Sequence, residues 1–97
     1  MINSKQRSYL RSLANKMNSI FSIGKEGITD AFVKQVDDAL EARELLKITA
    51  LNTSGYSARE ASDILCEKLG CEGVQAIGNK FVLYRLSEQK PKITFPD

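Results

Sequence analysis

Ile20-Phe21-Ser22-Ile23-Gly24-Lys25-Glu26-Gly27-Ile28-Thr29 holds a change of period: an apolar extended run gives way to two glycines framing two charged residues, and an amphipathic helical pattern begins at Thr29. Glycines at such a junction let a sugar–phosphate backbone approach main-chain N–H groups with no Cβ in the way. The helix that follows points its positive dipole end toward the same place. A strand-to-helix turn can also use two glycines for backbone geometry alone, so the motif is weak without its surroundings.

Downstream, Thr29 is placed to cap a helix over residues 30–44. Ile28 and Val33 form a hydrophobic-staple pair, and Phe32, Val33, Val36 and Leu40 form a buried stripe. A strand over 46–51 follows, then a loop at 52–56. Ser57-Ala58-Arg59-Glu60 is a capping box that opens a third helix, which Gly70 ends. Residues 73–77 and 81–86 read as strands joined by a tight turn at Gly78-Asn79. Upstream, Asn3 with Gln6 begins a helix over about 4–17 whose stripe is Tyr9, Leu10, Leu13 and Met17, and a strand over 19–23 leads into the glycines. The order α-β-α-β-α-β-β predicts an α+β two-layer sandwich with a four-stranded mixed sheet. Residues 1–88 form the expected domain. Pro91 and Pro96 among polar residues suggest a loosely ordered tail over 89–97.

The chain's 97 residues, 42% hydrophobic and 27% charged, suit one ordinary globular domain. No apolar run approaches the ~20 residues of a membrane helix, and the N-terminus lacks a signal-peptide apolar core. Cytoplasmic residence of a monomer, away from membranes, is therefore expected. Histidine is absent, which removes Ser-His and Cys-His nucleophilic chemistry. Cys66 and Cys71 are poorly spaced for a metal and read as reduced structural thiols. No metal, cofactor or enzymatic activity is expected.

Charge is segregated. Residues 1–25 carry five bases, Lys5, Arg7, Arg11, Lys16 and Lys25, and no acid. Residues 26–44 carry Glu26, Asp30, Asp37, Asp38, Glu41 and Glu44 against Lys34 and Arg43. On the first helix, Arg7 and Arg11 lie along one edge of the apolar stripe and Lys5 and Lys16 along the other. Lys5 and Arg7 stand in the first turn, where the macrodipole disfavours cations, and Arg7 and Arg11 are a like-charge i,i+4 pair. These cations look placed to meet an anion. Phe81 and Tyr84 read as core, and Lys80 and Arg85 as peripheral anion contacts. The acids of the second helix support another reading, a protein-interaction module docking on a basic partner such as a ribosomal protein.

Four stretches carry a resemblance: residues 5–14 (KQRSYLRSLA), 23–29 (IGKEGIT), 38–47 (DALEARELLK) and 77–85 (IGNKFVLYR). Together they closely resemble the CRM domain, named for chloroplast RNA splicing and ribosome maturation, in its free-standing bacterial form, the YhbY family. The resemblance implies an RNA-binding fold like the C-terminal domain of translation initiation factor 3. It further implies association with ribosomal RNA in large-subunit precursors and a role in ribosome assembly. By position it places the RNA contacts on Gly24, Lys25, Glu26 and Gly27 and on Lys5, Arg7, Arg11 and Lys16.

Overall fold

The computed structural model describes residues 2–96; Met1 and Asp97, the ends of the expected domain and tail, lie outside them. In chain order the elements are α1 (Ser4–Ala14), β1 (Phe21–Ile23), α2 (Asp30–Arg43), β2 (Leu45–Ala50), a 3-10 turn (Asn52–Ser54), α3 (Ala58–Leu69), β3 (Glu72–Ile77) and β4 (Lys80–Tyr84). The strands form one mixed sheet in the order β1-β2-β4-β3, with β1 parallel to β2 and both hairpin strands antiparallel to their neighbours. The α+β class and the four-stranded mixed sheet are as the sequence indicates.

The helix starts follow from their caps. The Asn3 side chain accepts from the Gln6 N–H at 2.8 Å and Gln6 accepts from the Asn3 N–H at 3.0 Å. Thr29 accepts from Phe32 N–H, and Ser57 and Glu60 form the reciprocal pair that opens α3. The first helix ends at Ala14, earlier than the expected Met17, because the chain tightens: Lys16 N–H donates to Leu13 O and Met17 N–H to Ala14 O. Helix α2 stops at Arg43 because Glu44 turns left-handed, with φ +67°, and feeds β2 directly.

Alternation along β2 and β4 divides the core. Leu46, Ile48, Phe81 and Leu83 face α2 and α3, together with Val36, Leu40, Ala61 and Leu65. Leu45, Val82 and Tyr84 face the other way and pack against Leu10 and Ala14 of α1. Phe81 is wholly buried and Tyr84 nearly so, as their core reading requires. The helices thus lie two on one face and one on the other, which adds a partial third layer to the sandwich.

Residues 87–96 hold no helix or strand but are tied to α2. Glu41 accepts from the Ser87 hydroxyl and from the N–H groups of Glu88 and Gln89. Glu44, fully buried, accepts from the N–H groups of Ser87, Lys92 and Ile93 at 2.6–2.8 Å. β4 ends at Tyr84, and Arg85 N–H donating to Glu44 O adds one further rung to its antiparallel pairing with β2 before the chain turns to the two carboxylates. Phe95 then meets Tyr9 and Tyr84 edge-on, with ring centroids 6.0 and 5.8 Å away.

Candidate nucleic-acid interface

Because β1 and β2 are parallel, the loops that follow them emerge at the same end of the sheet, and each leads into a helix N-terminus. The N-termini of α2 and α3 therefore sit at that end, with their positive dipole ends facing outward. Gly24–Gly27 forms a tight turn closed by Gly27 N–H donating to Gly24 O at 3.0 Å. The glycines have different reasons. Gly27 has φ +75°, where a side chain costs about 1–2 kcal/mol, and Tyr56 lies against it, 3.5 Å from where a Cβ would stand. Gly24 needs no left-handed backbone and has nothing within 4 Å of a built Cβ. The fold does not require Gly24 to be bare, which leaves its open backbone as a place for a ligand.

The Gly27 N–H is spent on the turn. Among the described residues, the N–H groups of Lys25, Glu26 and Ile28 make no backbone hydrogen bond and stand beside the α2 N-terminus. Lys25 and Glu26 are exposed, and the turn borders a shallow depression with Ser22, Phe32 and Gln35. Asp30, in the first turn of α2, is a second carboxylate four residues after Glu26.

From this turn a row of residues crosses the sheet on the face that carries α1. Strand register joins Ser22 to Thr49, Thr49 to Lys80 and Lys80 to Ile77. Ser22, Lys80 and Ile77 are exposed, Ile77 at 67%, while Thr49 is covered by the segment before β1, where its hydroxyl donates to Ser19 Oγ. Lys47 lies on the same face, diagonal to Lys80. Lys47 and Tyr56 were not among the residues singled out by the sequence. The signal available for both was the β-α-β pattern, which aligns β1 with β2 and sets their following loops side by side.

The cations of α1 are not gathered at the turn. Arg7 donates to Gly73 O on β3, at the opposite edge of the sheet from β1 and at its opposite end, and a cleft along β3 is lined by Arg7 and by Arg59 of the first turn of α3. Lys5, Arg11 and Lys16 are exposed, and Lys16 lies in the connection leading to β1. Arg85, read as a peripheral contact, is instead structural: it pairs with Asp37 at 2.7 Å and donates to the carbonyls of Asp37 and Leu69. The acidic face of α2 is likewise engaged within the chain. Asp37 holds Arg85, Asp38 pairs with Lys34 at 2.7 Å, and Glu41 and Glu44 hold residues 87–93.

Donation from the Ser87 hydroxyl, then from the Glu88 and Gln89 N–H groups, holds the Glu41 carboxyl below its usual range. Burial opposes ionisation of Glu44, but its three backbone donors outweigh burial and hold that carboxyl low as well. Among the described residues, no group of three or more histidine, cysteine or acidic side chains could hold a metal ion. None of the described helices is long and apolar enough to cross a membrane.

Comparison with known proteins gives this architecture its class. Residues 2–85 match the family model of the CRS1/YhbY (CRM) domain. The chain is 38% identical over 96 residues to the "Probable RNA-binding protein YqeI" of Bacillus subtilis, covering 99% of this chain and 100% of that one. It is 28% identical over 95 residues to an "RNA-binding protein" of Haemophilus influenzae, covering 98% of this chain and 95% of that one. The solution structure of SAV1595 from Staphylococcus aureus superposes with a TM-score of 0.73 at 40% identity, covering 99% of this chain and 100% of that one. The chain belongs to the CRS1/YhbY (CRM) domain family.

Proposed function

We propose that this protein is a non-enzymatic RNA-binding protein that acts in the cytoplasm as a monomer, associating with ribosomal RNA in large-subunit precursors and assisting their assembly. The observation that carries the RNA reading is Gly24: an open glycine that the fold does not demand, at a turn with free N–H groups in front of a helix N-terminus. Family membership supports the same reading, and two of the relatives above are named for RNA binding. A phosphate would be held by the N–H groups of Lys25, Glu26 and Ile28 and by the Lys25 ammonium. The backbone would continue past Ser22 and Lys80, with Lys47 and Lys16 adding charge and Ile77 offering an apolar surface to a base. Lys5, Arg7 and Arg11 would meet a more distant part of the same RNA.

The docking reading loses its motive, since the four acids that suggested it, Asp37, Asp38, Glu41 and Glu44, are already partnered within the chain. Exchange of Lys47 and Lys80 together for alanine should reduce the slope of log affinity against log salt by about one to two. Titration of labelled ribosomal RNA at several salt concentrations measures it, and an unchanged slope would remove both lysines from the interface. For the assembly role, the protein traced through a sucrose gradient of cell extract should sediment with large-subunit precursors. Its confinement to the top of the gradient would argue against that role while leaving RNA binding intact.

A further inference from the structure

Two features of the chain serve no part of the RNA reading: the thiols of Cys66 and Cys71. Helix α3 ends with Gly70 in the left-handed conformation, and the N–H groups of Gly70 and Cys71 both donate to Cys66 O. That is a Schellman-type stop, in which the residue after the glycine folds back against the side chain in the last turn of the helix. Here both touching residues are cysteines, and their Sγ atoms lie 3.6 Å apart. Neither is in a disulfide. Cys66 is half-buried and Cys71 buried, and both border a cleft along β3 with Arg7, Arg59 and Asp63.

We propose that Cys66 and Cys71 form a reversible redox pair that a peroxide converts to an intramolecular disulfide. Cys66, the more exposed, attacks first: its thiolate sulfur takes one peroxide oxygen as the O–O bond breaks, giving a sulfenic acid and hydroxide. The Cys71 sulfur then displaces the sulfenic oxygen, forming the S–S bond. Its proton and the displaced group leave as water. In total, two thiols and one hydrogen peroxide give one disulfide and two waters, with two electrons passing from sulfur to oxygen.

The surroundings suit this division of labour. Donation from the Cys71 thiol holds Cys66 below the usual thiol range, although burial, Asp63 and Glu72 oppose it. The same hydrogen bond, together with burial, pushes Cys71 up, which makes it the resolving partner. The pair also touches the fold beyond itself. A Cβ at Gly73 would stand 3.1 Å from Ser62 Oγ and 3.8 Å from Cys66 Sγ, and the carbonyl of Gly73 receives Arg7. A disulfide here would therefore form beside the anchor that ties α1 to β3.

The reduced full chain, treated with stoichiometric hydrogen peroxide, tests the proposal by intact mass and thiol alkylation. The expected product is a monomer about 2 Da lighter, with both thiols lost together and both restored by dithiothreitol. In Cys71→Ser, the same treatment should stop at a sulfenic acid on Cys66 that dimedone captures. Two alkylatable thiols after treatment would overturn the proposal. So would a disulfide-linked dimer, or oxygen added to Cys66 while Cys71 remains free.

Discussion

Glu44→Ala should lower stability by about 3 kcal/mol, a fall in Tm of roughly 12–24 °C for a domain of this size. The carboxylate is fully buried and is the acceptor for three main-chain N–H groups, from Ser87, Lys92 and Ile93. Removing it leaves those donors unpaired or forces residues 87–96 into water. Leaving also uncovers the surface where Phe95 and Ile93 cover Tyr9, Tyr84 and Leu10. Glu44→Gly separates the causes: glycine relieves the φ of +67° but restores no acceptor, so it should recover about 1 kcal/mol and no more. Hydrogen exchange should show Ser87, Lys92 and Ile93 losing protection in both variants.

The dependence on pH has a defined sign. Glu41 and Glu44 ionise more readily in the folded chain than the ordinary value of about 4.3. Their contribution is therefore fully present above that value and is lost as pH falls through the lower folded pKa values. Denaturant titrations should show the wild type losing stability below about pH 4, with a shallower loss in Glu44→Gln. A Tm within a few degrees of wild type in Glu44→Ala would sink this account of the carboxylate.

Residues 87–96 also show where reading the sequence stops. The helices, their caps, the succession of elements along the chain and the glycine turn are legible because each has a local signature: Asn3 with Gln6, Thr29 as a cap, Ser57 with Glu60, and Gly70 as a stop. Glu41 and Glu44 have local signatures too, but misleading ones. Asp37, Asp38, Glu41 and Glu44 together read as a solvated or docking face, whereas the partners of Asp37, Glu41 and Glu44 lie more than forty positions away in sequence. Periodicity cannot register a contact of that separation. The same limit applies to Arg7, whose helical phase was readable but whose acceptor, Gly73 O, belongs to a strand 66 residues on. At the candidate interface, Gly24 to Gly27 were legible, while Lys47 and Tyr56 depended on strand register and on which loops adjoin.

Charge reversal at the turn should have the largest effect on binding. Lys25→Asp removes the cation expected at the phosphate and adds a third carboxylate to those of Glu26 and Asp30, in front of the N-terminus of α2. A phosphate held there would face repulsion in place of attraction, and the helix dipole alone is worth too little to compensate. Affinity for a short single-stranded RNA at low salt should fall by about 30- to 100-fold, or roughly 2–3 kcal/mol, and the deficit should shrink as salt is added. Stability should move by less than about 0.5 kcal/mol, because the Lys25 side chain is exposed and makes no hydrogen bond or ion pair among the described residues. Lys68→Asp supplies the control: it makes the same change in net charge at the last turn of α3, the end of that helix away from the turn. Titration by fluorescence anisotropy should find the Lys68 variant within about threefold of wild type, since net charge acts weakly at a distance. Equal losses in the two variants would mean that RNA meets general positive potential rather than this turn. An unaffected Lys25→Asp would move the interface away from the glycines altogether.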